Sequence, residues 1–157
     1  MAHPLSPASD LPRAPGLPSP ASLDQMLEAM AGDRSLHLGG EPSDEADLRR
    51  VEVRLHLPLP AAFRTFLTRL GGGVFYRRHE IFGAQRVMIH DIELVPDLLS
   101  VRSRWPDLPA HLLPIHREGE HVHVLDLESG AVLPLPAGPG YPDFQSFLAR
   151  VVVPPGA

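Results

Sequence analysis

Residues 51–74 read VEVRLHLPLPAAFRTFLTRLGGGV, and they decide how the rest of the chain is parsed. Leu48, Val51 and Leu55 recur at spacings of three and four, which places them on one stripe of a helix. Pro58 and Pro60 break that stripe, because a proline inside a helix removes a backbone donor and clashes with the preceding turn. Pro60 is allowed in the first turn of a following helix, where Phe63, Phe66, Leu67 and Leu70 repeat the apolar stripe until Gly71, Gly72 and Gly73 stop it. Two amphipathic helices therefore flank a Leu-Pro-Leu-Pro hinge.

Upstream, Ser22 followed by Gln25 has the spacing of a capping box, and Leu23, Met26, Leu27 and Met30 form a short helical stripe ending at Gly32. Ser43 is a candidate N-cap for the second helix, with Asp44, Glu45 and Asp47 in its first turn, where the helix dipole favours negative charge. Residues 1–21 carry Pro4, Pro7, Pro12, Pro15, Pro18 and Pro20 and almost no large apolar group, so a flexible arm is expected there. The packed domain is expected over residues 22–152, with 153–157 as a tail.

Downstream of the glycines the residues turn to β-formers: Val74 to Tyr76, Ile81 and Phe82, then Val87 to Val95. Pro96 opens a short helix carrying Leu98, Leu99 and Val101 towards Trp105, which reads as a core anchor. Leu112 to His116, His121 to Leu127 and Ala131 to Leu135 follow as strands, separated by Glu118-Gly119 and Ser129-Gly130 turns. Phe144, Phe147, Leu148 and Val151 close the chain as a helical stripe. Helices, then strands, then a helix predict an α+β fold with a mostly antiparallel sheet of about five to six strands covered by helices.

Composition narrows the chemistry. The sequence contains no cysteine, which excludes disulfides and thiol chemistry and suits a reducing, cytoplasmic setting. All 14 basic residues are arginine, so no lysine can serve as a nucleophile. That usage, with abundant Ala, Pro and Gly, suggests a GC-rich bacterial genome. Between Asp24 and Glu52 eight acidic residues face three arginines, which accounts for the whole net charge of -5. A cationic stripe for nucleic acid is thus missing, and a basic protein partner suits the balance better. No stretch has the length of a membrane span.

No catalytic constellation emerges. No serine lies in a Gly-x-Ser-x-Gly elbow, and the triple glycine lacks the lysine and hydroxyl of a phosphate-binding loop. Asp91 and Glu93, two apart, read as solvated strand residues. Residues 79–83, HEIFG, carry Gly83 where a zinc-protease helix needs its second histidine. His121 and His123 alternate onto one strand face with His116 across a turn, which leaves a histidine metal site as an alternative.

The stretch from Val51 to Val74 resembles the signature of the SUKH superfamily, which includes the fungal Smi/Knr cell-wall regulators and many bacterial immunity proteins. Leu59-Pro60, Phe66-Leu67 and Gly72-Gly73 fill the signature positions, and Ile81-Phe82-Gly83, Leu112 to Ile115, His123 to Leu127 and Phe144 to Leu148 follow in the family's order. The family usually has a glycine where His56 stands and a polar residue near Leu70 and Gly71. The resemblance implies a non-enzymatic protein-binding domain without a cofactor, most often one that neutralises a polymorphic toxin by occlusion. A regulatory scaffold of the Smi/Knr type, recruiting partners through the proline-rich arm, is the alternative. Candidate partner-binding residues are Tyr76, Arg77, Arg78 and His79, because Tyr and Arg are enriched at interfaces, together with the acidic Asp44, Glu45 and Asp47.

Overall fold

A computed structural model describes residues 22–33 and 39–154. The proline-rich arm expected at 1–21 and the last residues of the tail lie outside the described residues. Helices α1 (Leu23–Asp33), α2 (Glu45–Leu55) and α3 (Ala61–Arg69) precede strands β1 (Gly73–Phe75), β2 (His79–Ile81), β3 (Val87–Ile89) and β4 (Ile92–Val95). Helix α4 (Leu98–Arg102), strands β5 (Leu112–Glu118), β6 (His121–Asp126) and β7 (Val132–Leu135), and helix α5 (Phe144–Phe147) complete the order, with α5 continuing into a π-helical turn at Leu148–Val152. Five strands form one antiparallel sheet in the order β1-β2-β5-β6-β7, and β3-β4 form a separate ribbon. The α+β reading of the sequence holds.

Local chemistry explains the helix boundaries. Ser22 and Gln25 make the expected reciprocal capping bonds at 3.1 and 2.9 Å. At α2 the N-cap is Asp44 rather than Ser43. Asp44 accepts from the Asp47 N–H at 2.8 Å, and Asp47 accepts from the Asp44 N–H at 3.1 Å. Only Asp44 has a carboxylate three residues on, whereas the Ser43 N–H is spent on the Leu67 carbonyl. The proline hinge is held by one carboxylate, since Glu52 accepts from the Leu59 N–H at 2.6 Å and from the Arg64 guanidinium at 3.1 Å. This clamp fixes α3 against α2.

The core forms where the stripes of α1, α2 and α3 meet one face of the sheet. Phe63, Phe66, Phe144 and Phe147 are fully buried, and the rings of Phe63 and Phe66 meet Phe144 edge-on at 5.0 and 5.5 Å. Phe75 of β1 closes the cluster against Phe66 at 5.8 Å. Helix α4 packs against β5 and α2, with Leu98 and Val101 joining the same core. The span from Val87 to Val95, read from sequence as one β-rich run, is the β3–β4 hairpin, turning at His90 with φ +52.

The triple glycine does two jobs. Gly71, at φ +70, ends α3 in the left-handed region, as a helix stop should. Gly72 instead crosses the backbone after β2: a Cβ on Gly72 would lie 2.7 Å from the Gly83 nitrogen, and a Cβ on Gly83 would lie 2.6 Å from the Gly72 nitrogen. Two backbones touch there, and neither neighbour is a side chain that can rotate away. Gly72→Ala is therefore expected to lower stability by about 1–3 kcal/mol, the usual cost of overpacking, in a chemical-denaturation series. An unchanged midpoint would contradict the crossing.

His56 closes α2 at φ 61, ψ 22, in the left-handed region where a Cβ costs energy. That is the position at which the resembling family carries glycine. Because His56 is exposed, His56→Gly should raise stability by about 0.5–1 kcal/mol, the relief of Cβ strain exceeding the added chain entropy. Thermal melting of the two proteins measures the sign.

Candidate functional site at one end of the sheet

The β1–β2 turn and the β5–β6 turn lie at the same end of the sheet, because β2 and β5 run antiparallel with Glu80 opposite Arg117. The first turn is strained. Tyr76 and Arg77 sit at φ +51 and +63, a two-residue left-handed turn that glycine or asparagine normally provides. Such strain persists only where the surroundings impose it. Here the Tyr76 N–H donates to the Asp33 carboxylate at 2.7 Å and the Tyr76 ring packs on the core. Burial, and then the Asp33 charge, push its phenol pKa up. Its hydroxyl is buried without a hydrogen-bond partner among the described residues.

Arg77 and Arg78 face solvent at the tip, and Arg78 pairs with Glu118 at 3.1 Å. His79, grouped with them in the sequence, is 1% exposed and so lies off any surface a partner could touch. The reason is alternation: His79 and Ile81 are the inward residues of β2.

His79 instead begins a row of imidazoles across three strands. Its Nδ1 lies 2.9 Å from His116 Nε2, and His116 Nδ1 lies 3.1 Å from His123 Nδ1. Phe147 of α5 covers His116 and His123, with ring centroids 5.0 and 4.9 Å away. Three neutral imidazoles carry three protons, and the two N···N bonds use two of them. The spare proton is at one end or the other, so the row has two tautomeric registers. In both, His79 Nε2 is a buried polar atom without a hydrogen-bond partner among the described residues.

The expected trio of His116, His121 and His123 does not assemble. His121 is exposed at the start of β6, and His79 takes its place in the row. Nor do these imidazoles converge on a point, since His116 uses opposite edges for its two neighbours. Among the described residues, the potential metal ligands that come together are those of His111, Asp126 and Glu128, within 4.8 Å of one another at the far end of the β5–β6 hairpin. Asp126 already accepts from the Glu128 and Ser129 N–H groups at 2.9 and 3.2 Å.

The acidic candidates have structural partners. Asp44 and Asp47 cap α2, and Asp47 also meets Arg50 at 3.3 Å. Glu45 pairs with Arg64 at 2.7 Å, which lowers its pKa, and the same arginine lowers that of Glu52. No hydrogen bond or ion pair among the described residues joins this acidic end of α2 to the Arg77–Arg78 turn. Sequence reasoning missed the exposed apolar residues of the β3–β4 ribbon, Met88 and Ile92, and the half-exposed position of Trp105.

Burial holds the His116 pKa down, to about 3, and burial likewise lowers those of His79 and His123. The unfolded chain takes up protons near pH 6.5 that the fold refuses, so stability is fully present above about 6.5 and lost as pH falls towards about 3. His116, kept neutral across that window, contributes a slope of about 1.4 kcal/mol per pH unit, and His79 and His123 act in the same direction. Urea midpoints should stay level from about pH 7.5 to about 6.5 and fall steadily from there down to about 5, and a profile flat throughout would contradict a neutral row.

Among the described residues no helix is long and apolar enough to cross a membrane. A search of curated protein sequences finds no match. A crystal structure of a protein from Pseudomonas syringae pv. tomato superposes with a TM-score of 0.66 at 22% identity, covering 82% of this chain and 96% of that one, a likeness of fold. Residues 22–136 match the family described as SMI1-KNR4 cell-wall, SUKH_5, from the first helix to the end of β7. With well over half of its length matched, the chain belongs to the SUKH_5 branch of the SMI1-KNR4 family.

Proposed function

We propose that this chain is a non-enzymatic protein-binding domain that serves as a cytoplasmic immunity protein in a bacterium, neutralising a toxin by covering its surface. The observation that supports it most is the strained Tyr76–Arg77 turn, which holds two arginines at the tip of a hairpin on a scaffold of the SMI1-KNR4 family. Strain of this kind is retained at ligand clamps, and arginine is enriched where binding energy concentrates. Occlusion requires no turnover, only a rigid surface presented to the partner. A regulatory adaptor is the second reading, favoured by the cell-wall description that the family carries.

Co-expression with the product of the adjacent upstream reading frame tests the first reading. Rescue of growth and a one-to-one complex are expected, and Arg77→Glu with Arg78→Glu should weaken that complex by about tenfold or more, as charge reversal at a contact does. No rescue and no complex would shift the weight to the adaptor. Deleting residues 1–21 separates the two, because an adaptor that recruits through proline-rich segments loses its partner and an immunity domain keeps it.

A further inference from the structure

The face of the sheet opposite the histidine row is only half covered. Register places Val74, Glu80, Arg117, Val122 and Leu135 side by side across all five strands, and every one is half-buried. The loop after α4 stands over the β6–β7 end of this row, where Trp105, Leu108, Val122, Leu135 and Pro136 line an open hollow of about 410 Å³. Its wall is held firmly. Arg102 spends its guanidinium on the Trp105 and Leu108 carbonyls, both at 2.6 Å, and on Pro109 at 3.2 Å. A half-exposed tryptophan on such a braced loop loses little entropy on contact, which is what an anchor pocket requires.

Charge distinguishes the occupants. Arg117 and Glu80 form a bidentate pair at 2.9 and 3.0 Å, so each cancels the other. Arg102 is engaged by carbonyls. The charge left at the mouth is Glu120, an exposed residue of the β5–β6 turn that lines the hollow and has no ion-pair partner among the described residues. An apolar floor beside one unneutralised carboxylate fits an aliphatic group with a cation next to it, and it disfavours the same group carrying an anion.

We propose that this hollow receives an aliphatic side chain of the protein partner with a basic residue beside it. The proposal rests on the protein-binding reading and names the surface and chemistry of contact. It places the partner on the face away from the histidine row, at the same end of the sheet as Arg77 and Arg78.

Two small probes test the hollow without any partner: isopentylammonium and isovalerate, a leucine-like group bearing a positive or a negative charge. In NMR titrations of the full chain the cation should shift the Trp105 indole and the Val122 and Leu135 methyl signals, with the anion binding at least about tenfold more weakly, and Glu120→Gln should erase the difference. No shift at these residues, or equal response to the anion, overturns the proposal. With the co-expressed toxin, Trp105→Ala and Glu120→Arg should each weaken the complex by about tenfold, and Glu120→Arg, altering an exposed turn, should leave the melting temperature unchanged. If the complex forms and both variants bind like the parent chain, the hollow is refuted and the protein-binding reading stands. If no complex forms while the cation still enters with its Glu120 dependence, the hollow is supported and the toxin reading fails.

Discussion

Everything in this fold hangs on two backbones that touch. Gly72 leaves α3 and enters the sheet at the place where Gly83 carries the chain away from β2 towards the ribbon, and neither site has room for a Cβ. The contact draws in its surroundings, because the Gly40 N–H donates to the Gly72 carbonyl at 2.8 Å and the Leu98 N–H donates to the Gly83 carbonyl at 2.9 Å. Helix α3, the start of α4 and the loop before α2 are thereby tied to one crossing. Side chains then fill the space around it, with the rings of Phe63 and Phe66 stacked on each other and each meeting Phe144 edge-on, at distances set by where the helices can stand. Dispersion and hydrophobic burial supply most of the favourable energy. The crossing decides the geometry in which they act.

That division explains what could be read in advance. Stripes at spacings of three and four are properties of one segment, so the helices around Met26, Val51 and Phe66 were legible, as was the hinge at Pro58 and Pro60. The glycines were legible only as a stop, which Gly71 is, because the contact that requires Gly72 lies with Gly83, just past the neighbouring strand. Ser43 reads as the cap until the partner three residues on is counted, which only Asp44 has. The ribbon was hidden because its turn uses His90 in the left-handed region, without the glycine that marks such turns.

The candidate site was legible in part for a similar reason. Arg77 and Arg78 stood out by type, and they do occupy an exposed tip. His79 did not, since a strand of three residues gives alternation too little length to show which side chain turns inward. His121 and His123 share a spacing, yet the sheet's cover ends before His121, leaving it in solvent while its neighbour sits under Phe147. Trp105 read as core from its size. Its position depends on Arg102 holding the loop by three carbonyls, an interaction that no local pattern announces.

Charge shows most clearly how composition and surface part company. The excess of acid between Asp24 and Glu52 made a basic partner attractive on arithmetic alone. In the fold much of that charge is answered locally, with Asp24 on Arg69, Asp47 on Arg50, and Glu45 and Glu52 sharing Arg64. Answered charges still contribute to the long-range field that steers encounter, but a partner that displaces their arginines must leave them unpaired. Recognition is cheaper where charge is unanswered and apolar surface is already ordered. By that criterion the α2 end is poorly suited to contact, and the turn side of the sheet, with exposed Arg77 on one strand pair and Glu120 beside Trp105 on the other, is the region where a partner meets the least resistance.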